Sequence, residues 1–281
     1  MQSVEAEEYR RMAAVEDDMW YYRALHSHLE RELRLVLSGE SAAMKTARGS
    51  ENVADSTRRG EGAVRAPQFQ FQEVVAKRIL DAGCGTGGVI RRLTSRHPEW
   101  RWSGVDLEPL ACELARTRCA AEIIQASVSS LPFAEETFDA VVSSDVLYHL
   151  DDDVAALRES RRVLRRGGAI VINVPAHRWL WSYHDVTVHG RRRYVRGELR
   201  EKLLAAGFVN VRATHWNALP LPLVVVRRKL FRPPKSGSDV RLYPKAVEAT
   251  FNAAMRLERM WLGTFGALPF GSSILAVAWK E

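Results

Sequence analysis

The stretch ILDAGCGTGG at residues 79–88 decides the fold, because apolar strand residues run directly into a cluster of glycines. Three of these glycines satisfy the spacing G-x-G-x-x-G. Glycines between a strand and a helix let the backbone turn tightly and approach a ligand closely. Asp106 ends the next apolar segment, about twenty residues on, where a carboxylate accepts hydrogen bonds from ribose hydroxyls. The stretch therefore predicts a nucleotide-binding turn.

Strand-like and helix-like segments alternate from residue 77 onward. Seven strands are predicted, at 77–83, 100–107, 122–127, 137–145, 169–175, 208–216 and 272–280. Helices are predicted among them at 89–96, 109–119, 152–165 and 196–206. This alternation indicates an α/β fold, with a mostly parallel sheet and helices on both faces.

The segments around this core have a different character. A helix is predicted over 5–37 from apolar residues at helical spacing, and another over 245–262. Residues 38–66 are rich in Gly, Ser, Ala and charge without periodicity, which predicts a mobile linker. The predicted organisation is an N-terminal helical cap at 1–37, a linker at 38–66, and a main domain at 67–281 with a helical insertion at 217–271.

Composition narrows the class of protein and of partner. The chain has 281 residues, 46% hydrophobic and 27% charged, which is globular composition. Its net charge of +7 favours anionic partners without choosing among them. Cys84, Cys112 and Cys119 make no metal spacing, and so few cysteines favour a reducing compartment. With no apolar leader and no apolar run above nine residues, the sequence predicts a cytoplasmic protein, with peripheral membrane contact as a hypothesis.

Four motifs in order resemble the class I, S-adenosylmethionine-dependent methyltransferases. They are ILDAGCGTGG at 79–88, GVDLEP at 104–109, SSLPFAEETFDAVVSSDVLYHL at 129–150 and RVLRRGGAIVINVP at 162–175. The resemblance covers 77–216, and the final strand also fits. It implies a Rossmann-like seven-stranded sheet with an antiparallel last strand, inserted beside the strand before it. It also implies S-adenosylmethionine as the cofactor.

The resemblance further implies which residues bind this cofactor. Its methionine end would lie against the glycine loop, at Asp81, Gly83, Cys84, Gly85 and Gly87. Its ribose would bind Asp106, its adenine would lie beside Leu107, Ser127 and Val128, and Ser144 would face the cleft. Ser127 departs from the family pattern, in which Asp is common, so weaker binding is expected. Its hydroxyl can still accept a hydrogen bond from the adenine amine.

Other functions compete with methyl transfer. The glycine spacing alone also permits an NAD(P)-dependent oxidoreductase. Asp81 disfavours it, because a carboxylate beside a pyrophosphate is unfavourable, whereas it suits a ligand with a free ammonium. A non-catalytic binding module is a further alternative. A nucleic-acid methyltransferase is disfavoured, because SSDV at 143–146 replaces an NPPY-like tetrad and no domain interleaves arginines with stacking aromatics.

Methyl transfer needs an aligned nucleophile, and a hydroxyl nucleophile also benefits from a general base. His184 is the leading candidate base and His149 the second, since both follow strands at the edge where ligands bind. Asp185, beside His184, is the third catalytic candidate, although neighbouring residues on a strand would diverge. The alternative is that these histidines belong to a surface loop.

The acceptor is predicted to be anionic, or carried on an anionic surface. Arg191, Arg192 and Arg193 stand beside Tyr194, and guanidinium forks bind phosphates and carboxylates. A second cluster, 227–229, follows an apolar run, as in helices at anionic membranes. A solvated turn and ordinary packing are the alternatives.

Residues 175–194 and 16–26 resemble a bacterial subfamily that is found with glycan and secondary-metabolite genes. This resemblance indicates the kind of acceptor. It implies a hydroxyl or amine of a small molecule, a secondary metabolite or a glycan- or lipid-linked conjugate.

Overall fold

A seven-stranded sheet forms the centre of the chain in the structure, a computed structural model that describes residues 6–39, 76–229 and 239–281. The strands are β1 (Lys77–Ala82), β2 (Trp100–Asp106), β3 (Glu122–Gln125), β4 (Phe138–Ser144), β5 (Leu164–Pro175), β6 (Val209–Trp216) and β7 (Ser273–Trp279). Their order is β3-β2-β1-β4-β5-β7-β6. Only β7 runs antiparallel to its neighbours, between β5 and β6. The predicted Rossmann-like fold is confirmed.

Helices cover both faces of this sheet. They are α1 (Ala6–Val15), α2 (Trp20–Leu37), α3 (Gly88–Thr94), α4 (Pro109–Arg118), α5 (Asp153–Val163), α6 (Tyr183–Thr187), α7 (Arg196–Ala205), α8 (Leu221–Lys229) and α9 (Lys245–Phe265). Successive strand residues face opposite sides. Ile170 packs in a core with α5 and α7, whereas Val171 packs in a second core with α2, α3, α4 and α9.

The predicted N-terminal helix over 5–37 is two helices, with a break at 16–19. Glu16 is buried in the break, where its carboxylate accepts a hydrogen bond from Thr86 Oγ1 at 2.8 Å and pairs with Arg118. The amide of Trp20 donates to Glu248 Oε2 at 2.8 Å. A single helix was the wrong prediction because these partners, distant in sequence, bind the chain on both sides of the break.

The helix predicted at 152–165 is shorter, and β5 already begins at Leu164. Leu164 is fully buried in the core between α5 and the sheet. The pairing of β4 with β5 shifts register between Phe138 and Ala140. Gly167 therefore lies inside the strand, with a left-handed φ of 77°, rather than after a helix.

The insertion at 217–271 contributes α8 and α9, and α9 packs against α2. The side chain of Arg31 on α2 donates to the carbonyl of Leu262 on α9 at 3.3 Å. Among 6–39, 76–229 and 239–281, no helix is long and apolar enough to cross a membrane. The predicted linker at 38–66 lies outside the described residues after Gly39.

Glu258 joins α9 to the end of β6. Its buried carboxylate accepts hydrogen bonds from the amides of Asn217, Ala218 at 2.8 Å and Leu219 at 3.2 Å. Asn217 also donates through Nδ2 to Ser272 Oγ at 2.7 Å. One carboxylate therefore holds the turn that starts the insertion.

Replacement of Glu258 by Ala should destabilise the fold by about 3 kcal/mol, because three buried amides lose their acceptor. Urea unfolding measured by circular dichroism gives this value. Glu258→Gln should lose less stability, since its amide oxygen still accepts hydrogen bonds from these amides. Glu201→Ala, which removes an exposed carboxylate, is the control. Equal stability of Glu258→Ala and Glu201→Ala would contradict the assignment.

Candidate active site

A cavity of about 850 Å³ lies at the carboxyl ends of β1, β2, β4 and β5. Open α/β sheets bind ligands at this edge. The glycine loop lines one end of the cavity, together with α1. The other end, called here the outer compartment, is lined by α6, α8 and α9. The volume is in the range of small-ligand sites and is divided between these two ends.

The glycine loop has a backbone that only glycine adopts easily. Gly83 has a φ of 95°, and a Cβ there would lie 2.1 Å from Val146 Cγ2. Gly85 has a φ of 50°, and its amide donates to Asp106 Oδ2 at 2.8 Å. Both residues line the cavity, as does Cys84 between them. The loop therefore brings backbone, not side chains, to the ligand.

Gly87 has a different role from the predicted one. It precedes α3 with a φ of 81° and is absent from the residues that line the cavity. A Cβ there would lie 3.0 Å from Cys119 Sγ and 3.2 Å from Ala115 Cβ. The contacts of Gly87 therefore serve the packing of α3 against α4 and give no support to its predicted role at the cofactor.

Asp81 ends β1 with a buried carboxylate whose Oδ2 has no hydrogen-bond partner among the described residues. Burial and the nearby carboxylates of Asp106 and Glu16 raise the pKa of Asp81 to about 8. A buried carboxylate of this kind is stabilised by a cation. The ammonium group of S-adenosylmethionine fits this requirement.

Asp106 ends β2 and is fixed by backbone amides. Gly85 donates to its Oδ2 at 2.8 Å and Glu108 to its Oδ1 at 3.0 Å. Each carboxylate oxygen retains acceptor capacity, which suits the two hydroxyls of a ribose. Burial nevertheless raises the pKa of Asp106.

The remaining predicted cofactor residues also line the cavity. They are Leu107, Ser127, Val128 and Ser144. The Ser127 hydroxyl accepts from the Ser129 amide at 3.2 Å, and Ser144 Oγ is buried without a partner among the described residues. Tyr9 and Met12 of α1 complete this end of the cavity. Sequence reasoning missed them because only the tertiary fold brings α1 over the glycine loop.

Asp145 is the main residue that the sequence analysis missed. It follows β4, lines the cavity and has a left-handed φ of 54°, a backbone conformation that is uncommon for residues other than glycine. Its neighbour Val146 contacts Gly83, so Asp145 lies where the glycine loop meets the rest of the cavity. The sequence signal that could have identified Asp145 was a carboxylate at the end of β4, in the motif SSDV.

The Asp145 carboxylate is held by neutral donors. Asn173 Nδ2 lies 3.0 Å from both oxygens, and the Tyr21 hydroxyl donates to Oδ2 at 3.3 Å. Trp216 Nε1 donates to Asn173 Oδ1 at 2.8 Å, which turns the Asn173 amine toward Asp145. Burial raises the pKa of Asp145 to about 6. This carboxyl can therefore take up a proton near neutrality.

His184 and His149 both line the cavity, but their hydrogen bonds differ. His184 Nδ1 accepts from the amide of Asp239 at 3.2 Å, so the neutral ring carries its proton on Nε2, which is then a potential donor. His149 Nδ1 lies 3.3 Å from the carbonyl of His189, to which it donates, so Nε2 is an acceptor. Burial lowers the pKa of each histidine to about 4.

Asp185 does not orient His184. Its Oδ2 accepts from the amide of Ser182 at 2.9 Å, which caps α6, and its Oδ1 accepts from Arg193 Nε at 2.8 Å. Both members of the Asp185–Arg193 pair are buried. Asp185 therefore holds α6 in place, and the prediction of a catalytic Asp185 finds no support in its contacts.

The arginine cluster at 191–193 is tied to the protein rather than open to an anion. Arg191 pairs with Asp151, and Arg192 with Asp153 at 3.3 Å. The Tyr194 hydroxyl donates to Asp153 at 2.6 Å. None of Arg191, Arg192 and Tyr194 lines the cavity, whereas Arg193 does. Because carboxylates of this chain pair with these arginines, the predicted anion clamp finds no support in their contacts.

The outer compartment is mainly apolar, with Leu223, Val224, Val226, Val240, Val247 and Phe251 in its wall. The basic cluster that ends α8 is occupied within the chain. Arg228 pairs with Asp239 at 2.9 Å, and Arg227 lies 5.4 Å from the centre of the Tyr183 ring. Lys229 donates to the Trp181 carbonyl at 3.1 Å. No cluster of three or more potential metal ligands occurs in the described ranges.

Comparisons with known proteins agree with this geometry. The sequence model of the methyltransferase domain family matches residues 80–172. A 37.1 kDa protein of a Streptomyces fradiae transposon is 30% identical over 210 residues, which cover 69% of this chain and 59% of that protein. Demethylmenaquinone methyltransferase of Thermotoga maritima is 36% identical over 101 residues, or 36% of this chain and 44% of the relative.

A solved structure shares the fold. Phosphoethanolamine N-methyltransferase 2 of Haemonchus contortus, in complex with S-adenosylmethionine, has a TM-score of 0.50 at 16% identity, covering 74% of this chain and 49% of that one. The chain spans about half the length of the curated relatives it matches. Residues 80–172 therefore match the methyltransferase domain family and lie on a Rossmann-like sheet, and S-adenosylmethionine is the cofactor that these comparisons support.

Proposed function

We propose that this chain transfers the methyl group of S-adenosylmethionine to a hydroxyl or amine of a small-molecule, secondary-metabolite or glycan- or lipid-linked acceptor. The observation that carries the proposal is the buried Asp81 carboxylate, unpartnered at Oδ2, beside the amide-bound Asp106. Asp81 would bind the ammonium group of the cofactor, and Asp106 would bind its ribose. The apolar outer compartment then remains for an acceptor.

The residues of this chain would mainly align the reactants and accept a proton. When bound, the cofactor supplies a methyl group on a positively charged sulfur. Asp145, between the glycine loop and the outer compartment, is the group that would receive the acceptor's proton, because its carboxyl titrates near neutrality. His184 would donate from Nε2 and orient the acceptor.

The oxidoreductase alternative is less well supported. Asp81 would stand where a dinucleotide places its pyrophosphate, and like charges there oppose binding. The antiparallel β7 between β5 and β6 is also the arrangement that the methyltransferase resemblance implied. A binding assay with both ligands separates the two functions.

Asp106→Ala should weaken binding of S-adenosylhomocysteine by tenfold to a hundredfold, roughly the loss of one or two hydrogen bonds to a charged group. Isothermal titration calorimetry measures this affinity. Glu113→Ala, an exposed carboxylate on the adjacent α4, is the matched control and should bind like the native protein. NAD should produce no binding heat. Tight NAD binding without S-adenosylhomocysteine binding would overturn the proposed function.

Binding of S-adenosylhomocysteine should strengthen as pH rises from about 6 to 8, with a limiting slope of about tenfold per pH unit. Asp81, with a pKa raised to about 8, must lose its proton to meet the ammonium, so binding releases a proton below that pH. Calorimetry in buffers of different ionisation enthalpy measures the release. Asp81→Asn should bind weakly and lose this release, and a proton release retained by Asp81→Asn would assign it to another group.

Asp145→Asn should lower the turnover of methyl transfer by about a hundredfold or more, because the proton acceptor is lost while the cavity keeps its shape. Label from the methyl group of S-adenosylmethionine, recovered on a panel of phenols, catechols and primary amines, gives the rate. Native turnover should fall below about pH 6, as Asp145 becomes protonated. His184→Ala should raise KM more than it lowers kcat. The reverse ranking would make His184 the base, as the sequence alone predicted.

A further inference from the structure

The outward face of α9 carries large apolar side chains that the fold leaves exposed. Leu257 is 61% exposed, Met260 68%, Trp261 49% and Phe265 64%. Trp261 and Phe265 contact each other, with ring centres 4.2 Å apart. Contiguous exposed apolar surface of this kind marks a site of interaction. These four residues with Arg256 are called the α9 face below.

The charge on and around this face is positive. Arg256 and Arg259 lie on α9 itself, and the pKa of Arg259 is lowered by burial and by the positive charges of Arg256 and Arg23. Within the described residues, no ion pair joins these three arginines to a carboxylate. From 249 to 272 the sequence has a single carboxylate, Glu258, which points inward to the amides of 217–219. The face therefore combines apolar and cationic groups without an exposed carboxylate of its own helix.

We propose that the α9 face binds the surface of an anionic phospholipid bilayer. Trp and Phe side chains enter the interface between head groups and acyl chains, and nearby arginines attract anionic lipids. A second copy of this chain is a poorer occupant, because a symmetric contact would bring two copies of the same positively charged face together.

The position of α9 connects this surface to the cavity. Its N-terminal half places Val247 and Phe251 in the wall of the outer compartment. Fourteen residues separate Val247 from Trp261, a distance of about 20 Å along a helix. Bilayer binding through the α9 face would therefore hold the outer compartment close to the lipid surface. This part of the inference rests on the proposed function, whereas binding itself does not.

The test is flotation of the full chain with two kinds of vesicle, phosphatidylcholine alone and phosphatidylcholine mixed with phosphatidylglycerol. The protein should float with the anionic vesicles at low ionic strength and much less at high ionic strength. Arg256→Glu should weaken binding by about tenfold or more, since it replaces an attracting charge with a repelling one. Trp261→Ser with Phe265→Ser should abolish flotation.

Two changes on α7 are the matched controls: Arg200→Glu reverses an exposed charge, and Leu204→Ser removes an exposed apolar side chain. Both should float like the native protein. The α9 variants should keep the thermal unfolding temperature and the S-adenosylhomocysteine affinity of the native protein. These two measurements exclude misfolding and separate this test from that of the proposed function. Absence of flotation, equal flotation with both vesicles, or a dimer in analytical ultracentrifugation that Trp261→Ser dissociates would overturn the proposal.

Discussion

Two buried carboxylates at adjacent strand ends, Asp81 and Asp106, are the constraint on which the site depends. Neither faces a cation in an ion pair within the described residues, and buried carboxylates are costly without one. Asp106 is offset by the amides of Gly85 and Glu108, which also set the path of the glycine loop. Asp81 is stabilised instead by holding a proton. Under the proposed function, the ammonium group of the cofactor would remove this penalty.

The N-terminal helices belong to the same arrangement. Glu16 bonds Thr86 in the glycine loop and pairs with Arg118 of α4, so the break between α1 and α2 is attached to the loop it covers. Tyr21, at the start of α2, donates to Asp145 at the other side of the cavity. These contacts join residues far apart in sequence. The cavity is therefore completed by a segment outside the matched domain at 80–172.

The sheet could be predicted from sequence because each strand is a short apolar run bounded by turn residues, which is a local signal. Three features could not be predicted from sequence: the break at 16–19, the early start of β5 at Leu164, and the ion-pair partners of Arg191–Arg193. Each depends on a distant partner: Thr86 for the break, the core between α5 and the sheet for Leu164, and Asp151, Asp153 and Asp185 for the arginines. A run of arginines looks alike in sequence whether a ligand or a carboxylate of the same chain neutralises it.

The two ends of the cavity are built from different parts of the fold. Hydrogen bonds among Asp145, Asn173 and Trp216 join the end of β4 to β5 and β6. The outer compartment is built instead from an insertion, and its polar groups bond one another, as Arg228 does with Asp239. Under the proposed function, the sheet residues would face the reacting atom, and α8 and α9 would shape the space for the acceptor. The two ends are coupled, because Glu248 of α9 accepts from the amide of Trp20 beside the break that covers the glycine loop.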